Sequence, residues 1–409
     1  MKILLLNTND SRGGAAKACY RLLQSLGAKA KLLVLEKKTE DNTKIYTAVS
    51  NRLAFFFYTR INKYLLRLKG IKPNTTFNDD KISLSLQQHP LVKEAELLHL
   101  HWINRGFISL NELGNLSKLN KPIVITLHDM WYFTGGCHFP ANCKKYQNTC
   151  GACIAIGSEK AEDISTQQQA LKAKLYASHK LHFIAPSYWM QQKALASSLL
   201  KNASISVIKN GLDLNLYKPN AEAKKNWRTK QQIAPDTLLV LYGAESIADE
   251  RKGFTLLMLA LEKLHQLQLP FELIVFGNTG NYNFSNLPYT VHEQGYVSKE
   301  ETLIQWYQIA DILLMPSTED NLPNVVLEAI GCGLPVVAFN QGGLPDLVLP
   351  NKTGLLATLR DTEDFAQAII KVNANLTELA QSCRKWAEEE ISYEVIAAKH
   401  TALYQKLLR

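Results

Sequence analysis

The chain has 409 residues, 46% of them hydrophobic and 20% charged, with a formal net charge of +9. That length exceeds one ordinary core and suits two α/β domains of about 200 residues each, and the composition excludes a chain dominated by disorder or low-complexity repeats. Only four consecutive apolar residues follow Lys2, too few for a signal-peptide core, and no run approaches a membrane span, so a cytoplasmic protein is expected. In chain order, residues 2–7 read as a first buried strand and residues 11–18, containing Gly13 and Gly14, as a turn into a helix that continues to Leu26. Further apolar runs at 31–35, 97–101, 123–127 and 182–185 alternate with helix-like segments, the pattern of repeated βα units. Pro186 and Ser187 begin the last of these helices. Asn210-Gly211 and Pro219 mark a domain boundary within 204–219, drawn after residue 205. Beyond it, strands are expected at 238–243, 271–277, 312–316 and 335–339, with helices after Lys252, Glu300, Pro323 and Pro345 and a long tail from Thr362.

The basic excess lies in residues 1–193, whereas residues 194–409 are net acidic. A basic half calls for an acidic partner: nucleic acid, a phosphate-bearing substrate or an anionic membrane surface. No nucleic-acid module is recognisable, and no nucleic-acid partner is expected. Residues 52–69, RLAFFFYTRINKYLLRLK, set Phe55, Phe56, Phe57, Tyr58 and Leu65 among Arg52, Arg60, Lys63, Arg67 and Lys69. Two readings stay open for this segment, a basic amphipathic helix on a membrane surface and a core-facing helix with solvated charges.

Residues 310–346, ADILLMPSTEDNLPNVVLEAIGCGLPVVAFNQGGLPD, put two acids, Asp320 and Glu328, across a strand-to-helix turn. Pro323 suits the first turn of that helix, where its missing N–H costs nothing. A carboxylate at 328 can accept both hydroxyls of a ribose diol, and a loop at the carboxyl end of a strand is where open α/β sheets bind ligands. Arg251 and Lys252, in ERKGF after the strand at 238–243, pair a bidentate guanidinium with a compact ammonium, which suits a diphosphate. The Gly13-Gly14 pair after Arg12 lets backbone approach an anion at a helix start. His128, at the end of its strand, carries an imidazole to the edge of the first domain, as His101 and Trp102 do from theirs; a lone histidine there is as readily structural.

An acid, seven intervening residues and a Glu, followed by LEAIGCGLPVVA and a Gly-Gly turn, resembles the nucleotide-sugar site of family 4 retaining glycosyltransferases with the GT-B fold. The resemblance implies two Rossmann-like doubly wound domains facing a central cleft: an acceptor domain over 1–205, a nucleotide-sugar domain over 206–390, and a helix in 391–409 returning to the first. It implies donor contacts from Gly13, Gly14, Gly243, Arg251, Lys252, Asp320, Asn321, Leu322, Pro323, Asn324 and Glu328, and acceptor contacts from His101 and Trp102. It further implies that His128, Arg251, Lys252 and Asp320 carry the catalysis, with His128 touching the transferred sugar. Two departures stand out: Asp320 replaces the family's usual Glu, and Gly243 is followed by Ala244 and Glu245 where many relatives have Arg.

The implied activity is metal-independent, retaining hexosyl transfer from a nucleotide sugar to a saccharide, with the acceptor hydroxyl attacking from the face the phosphate leaves. The basic half and the amphipathic segment suggest a lipid-diphosphate-linked acceptor at the inner membrane surface, in bacterial surface polysaccharide synthesis. A nucleotide-sugar 2-epimerase of the same architecture and a non-catalytic nucleotide-sugar-binding relative are the alternatives. Four of the seven cysteines, Cys137, Cys143, Cys150 and Cys153, fall in GGCHFPANCKKYQNTCGAC. A structural zinc held by four thiolates, disulfide or redox pairs, and unligated thiols all remain open for them.

Overall fold

The computed structural model describes residues 1–49, 52–68, 70–71, 77–79, 81–297 and 299–409, with side chains in the helix from Arg52 described from Phe56 onward. Lys69 lies outside the described residues, as do the side chains of Arg52 and Phe55. The chain divides into two units, Met1–Asn210 with Ile396–Arg409, and Gly211–Val395. The break falls on the Asn210-Gly211 turn rather than after residue 205.

In the first unit, strands β1 (Ile3–Asn9), β2 (Ala30–Glu36), β3 (Ile45–Thr47), β4 (Leu97–Leu100), β5 (Ile123–Thr126), β6 (Leu181–Ala185) and β7 (Ile205–Val207) form one sheet. Their order is β3-β2-β1-β4-β5-β6-β7, and every pairing is parallel. Alternation explains the apolar runs: Leu4 and Leu6 enter one core while Ile3 and Leu5 enter the core on the opposite face, as a sheet covered on both sides requires. Helices α1 (Gly14–Leu26), α2 (Arg52–Leu68), α3 (Pro90–Glu94), α4 (Leu110–Ser117), α5 (Ile164–Ser178) and α6 (Tyr188–Leu195) are interleaved with these strands. Ser187 caps α6 by accepting from the Met190 N–H.

The second unit repeats the plan. Helix α7 (Ala221–Gln231) precedes β8 (Leu238–Ser246), and α8 (Phe254–Gln266), β9 (Phe271–Asn278), β10 (Val291–Glu293), α9 (Glu300–Ile309) and β11 (Ile312–Met315) follow. After these come α10 (Asn324–Gly331), β12 (Val336–Phe339), β13 (Gly354–Ala357), α11 (Thr362–Asn373) and α12 (Leu376–Glu390). The strand order is β10-β9-β8-β11-β12-β13, again all parallel. Leu241 and Leu313 face one core, Val240 and Ile312 the other. Asp311 fastens the start of β11: its carboxylate takes Lys224, Arg228 and the Leu239 N–H. The last helix, α13 (Tyr393–Leu408), begins in the second unit, but its residues from Ile396 belong to the first.

One expected element is absent. Where a helix was read after Pro345, the chain makes only a 3-10 turn, Leu344–Asp346. Pro350 and the positive φ of Asn351 (60°) then turn it into β13, leaving no room for a helix. Pro323 stands just outside α10 as its N-cap rather than in the first turn. No helix among the described residues is long and apolar enough to cross a membrane.

Candidate active site

Each sheet changes winding direction between two neighbouring strands, β1 and β4 in the first unit and β8 and β11 in the second. The carboxyl ends beside such a switch point form a ready crevice, and the residues singled out from sequence gather at both.

In the second unit, the turn after β8 is pressed onto the end of β11. Gly253 has φ 68°, and a Cβ there would lie 1.9 Å from the Pro316 carbonyl oxygen, so only glycine fits. The Thr318 N–H donates to the Arg251 carbonyl at 2.8 Å. This docking sets the Lys252 ammonium 2.6 Å from Asp320 Oδ2, both groups partly buried. Arg251 donates from Nε and Nη2 to the two oxygens of Asp249 at 3.1 and 2.8 Å. Burial alone would raise the Asp249 carboxyl, but the bonds and charge of Arg251 outweigh it and hold the pKa below its ordinary value. Asp249 was missed in the sequence reading, although a carboxylate two residues before Arg251 is a local signal.

The backbone of Asp320 is held from behind by the Gly-Gly turn. Gly343 N–H donates to the Asp320 carbonyl at 3.0 Å, and Gly342, at φ 58°, comes so close that a Cβ would sit 2.0 Å from that oxygen. Ser317, 1% exposed at the end of β11, has a hydroxyl without a hydrogen-bond partner among the described residues. Asn321, Leu322 and Pro323 are buried and Asn324 half-buried. The Leu322 side chain belongs to the apolar core, so any ligand contact from it falls to its backbone. Glu328, 1% exposed in α10, accepts from the Tyr307 hydroxyl at 2.8 Å. Gly243 has a packing reason of its own: a Cβ there would lie 1.9 Å from Cζ of Phe276.

In the first unit, the ends of β1 and β4 are laced together. The Thr8 N–H donates to the Trp102 carbonyl, and the Trp102 N–H to Asn7 Oδ1, both at 2.8 Å. Asn9 Oδ1 accepts from the Arg12 N–H at 2.7 Å. Gly13 follows at φ 87° and N-caps α1, which begins at Gly14. His101 Nδ1 and His128 Nε2 are 2.8 Å apart and their rings stack, so two of the expected residues meet directly. Trp102 Nε1 donates to Asp129 Oδ2 at 3.0 Å, and His138 Nδ1 meets the same oxygen at 2.6 Å. Burial drives His128 down to about 4 and His101 well below the ordinary imidazole value, so both are neutral at neutral pH. Behind them, His99 joins Tyr404 of α13 and Thr126 at 2.6 and 2.7 Å. His99, Asp129, His138 and Tyr404 were not singled out from sequence: Asp129 and His138 share the segment HDMWYFTGGCH with His128, a local signal passed over, whereas His99 and Tyr404 are 305 positions apart.

The segment with four clustered cysteines is held by ordinary hydrogen bonds from α5 and its N-cap. The buried Lys172 ammonium donates to the carbonyls of Trp131 and Thr134, and burial lowers it to about 7. Cys150 N–H donates to Gln169 and Cys153 N–H to Asp163. No disulfide joins any of these four cysteines, and burial pushes Cys137 up to about 12 and Cys150 up to about 11. Among the described residues no group of three or more His, Cys, Asp or Glu is arranged to hold a metal ion.

Residues 237–375 match the family described as Glycosyl transferases group 1. The putative colanic acid biosynthesis glycosyl transferase WcaC of Escherichia coli is 24% identical over 272 residues, 65% of this chain and 64% of that protein. The chain spans about half the length of the first curated relatives it matches. Among solved structures, Anabaena Alr3699/HepE in complex with UDP and glucose superposes with a TM-score of 0.66 at 18% identity, covering 99% of each chain. WaaG, a glycosyltransferase involved in lipopolysaccharide biosynthesis, does so at 0.61 and 14%, covering 98% of this chain and 99% of that one. The chain therefore has the GT-B fold of two Rossmann-like units, and residues 237–375 of its second unit match the glycosyl transferases group 1 family.

Proposed function

We propose that the chain is a retaining glycosyltransferase: the second unit holds a nucleotide-sugar donor and the first a saccharide acceptor in bacterial surface polysaccharide synthesis, without a catalytic metal. The observation that carries this reading is the Lys252–Asp320 pair, 2.6 Å apart, at the switch point of a sheet matched to the group 1 family. Cleaving the bond from the anomeric carbon to a diphosphate leaves negative charge on the departing phosphates, and stabilising that charge is the largest demand. Lys252 and Arg251 are the cations for it, each kept oriented by a carboxylate with which an arriving diphosphate competes. Glu328 accepts from the ribose hydroxyls. His128, neutral, offers the transferred sugar a hydrogen bond rather than a charge. The acceptor hydroxyl attacks from the face the phosphate leaves and gives its proton to a phosphate oxygen, so the anomeric configuration is kept. WcaC and WaaG are glycosyltransferases of colanic acid and lipopolysaccharide synthesis, which supports a related role here.

Helix α2 supports a lipid-diphosphate-linked acceptor at an anionic membrane surface. Residues along a helix turn by about 100° each, so Phe56, Phe57, Arg60, Lys63, Tyr64, Arg67 and Leu68 share one arc of about 140°. All seven are exposed, while Asn62 and Leu66 on the other side are buried. The helix contains no acidic residue; each basic residue near such a surface contributes about 1 kcal/mol.

A thermal-shift panel of nucleotide sugars, followed by transfer assays with the stabilising donor, tests the reading. Transfer with retained anomeric configuration, undiminished by EDTA, is expected. Conversion of the donor without acceptor would favour a nucleotide-sugar 2-epimerase instead, and binding without turnover a non-catalytic relative.

A further inference from the structure

We propose that Tyr307 is a positioning residue of the donor site, its phenol orienting the Glu328 carboxylate toward the nucleotide ribose. This rests on the donor reading above and adds a residue to it. Tyr307 comes from α9, the helix before β11, and Glu328 from α10, the helix after it; the two are 21 positions apart in sequence and 2.8 Å apart in space. Both are 1% exposed. A carboxylate can only accept, so the direction of the bond is set: the phenol donates to Oε2. Loss of a partner by a buried charged group costs more than an ordinary hydrogen bond, so the bond holds one carboxylate rotamer against the others.

The phenol is itself braced. Burial pushes it well above the ordinary tyrosine value, so it keeps its proton and remains a donor at any working pH. The Tyr307 ring meets Phe276 edge-on, with centroids 6.4 Å apart and planes at 86°. The Phe276 ring lies over Gly243, the position where a Cβ would intrude to 1.9 Å. Gly243, Phe276, Tyr307 and Glu328 thus form a packed column running from the end of β8 through β9 and α9 to the ribose-facing acid. Its members come from four separate elements, and each constrains the next by contact.

The experiment uses the full chain and whichever of UDP, GDP or ADP binds by calorimetry, alongside its 2′-deoxy form. Wild type is expected to bind the 2′-deoxy form about tenfold more weakly, the loss of one charge-assisted hydrogen bond. Tyr307→Phe is expected to bind the ribose form about tenfold more weakly and to discriminate by no more than about twofold. Its donor KM rises while kcat stays within about threefold of wild type. Wild type indifferent to the 2′-hydroxyl, or none of the three nucleotides binding, overturns the donor reading of Glu328 and the inference with it. Wild type that discriminates beside a Tyr307→Phe variant that does so equally overturns the positioning role alone. Should Tyr307→Phe fail to fold, Phe276→Leu, which loosens the brace and keeps the phenol, is expected to reduce the discrimination in part; full discrimination there counts against the column.

Discussion

At the carboxyl end of the first unit's sheet three imidazoles, His99, His101 and His128, are packed without charge beside the buried Asp129–His138 pair, whereas at the same end of the second unit's sheet the paired groups are part-buried ion pairs, Lys252 with Asp320 and Arg251 with Asp249. The strand plans are nearly the same, so the difference lies in what the loops bring. In the first unit His101 stacks on His128 and its ring centroid lies 4.4 Å from that of His99, and desolvation removes the charge of all three. In the second, the turn at 250–253 is half exposed and keeps its charges by pairing them. Neutral donors and acceptors suit sugar hydroxyls, and paired cations suit phosphates, which is the division of labour proposed here.

That contrast can be broken from the charged side first. Lys252→Ala should lower kcat/KM by about 100-fold or more, the scale of removing a group that stabilises a departing charge; near-normal steady-state kinetics would remove the ammonium from the chemistry. Glu328→Ala should raise the donor KM by more than about tenfold with the acceptor KM unchanged, measured by varying each substrate in turn.

The neutral side is sharpened by pH. His128 and His400 have folded values near 4, against about 6.5 in an unfolded chain, so the unfolded state binds more protons between those values. Stability is therefore complete above about pH 6.5 and falls as pH drops toward 4. Hydrogen exchange at pH 7.5 and 5.0 should show the first unit losing protection before the second; equal loss would mean that the imidazoles are not as dry as their packing implies. The smallest expected effect is on α2. Phe56→Glu with Phe57→Glu should abolish co-sedimentation with vesicles containing phosphatidylserine and leave turnover on a soluble acceptor within about twofold; unchanged sedimentation would assign the exposed face another role.

Much of the fold was legible because buried parallel strands write themselves as apolar runs of four or more residues; most were read within a residue or two, but β8 runs three residues further, to Ser246, and the half-buried β13 was not read. The strands of three residues, β3, β7 and β10, carry no such run and pair only because longer neighbours present an edge. The helix read after Pro345 failed because Pro350, Asn351 and Gly354 bend the chain back to β13 within a few residues. The site divides along the same line. Lys252 was readable in the turn between β8 and α8, and Asp320 with Glu328 in the unit from β11 to α10, since each position follows from a single strand-turn-helix unit. Cys137 and its three neighbours were ambiguous because sequence spacing does not report how close sulfurs come.

By itself the sequence determined the two βα-repeated halves, the acid pair at 320 and 328, the basic pair at 251 and 252 and the glycine turns, because each depends on residues near one another along the chain. Only the tertiary structure decided that Asp320 answers Lys252, that Tyr307 holds Glu328, and that Tyr404 reaches His99 from 305 positions away. Those contacts depend on the order of strands and the seating of helices on the sheet, and burial, which neutralises the imidazoles and fixes the carboxylates, exists only once both are in place.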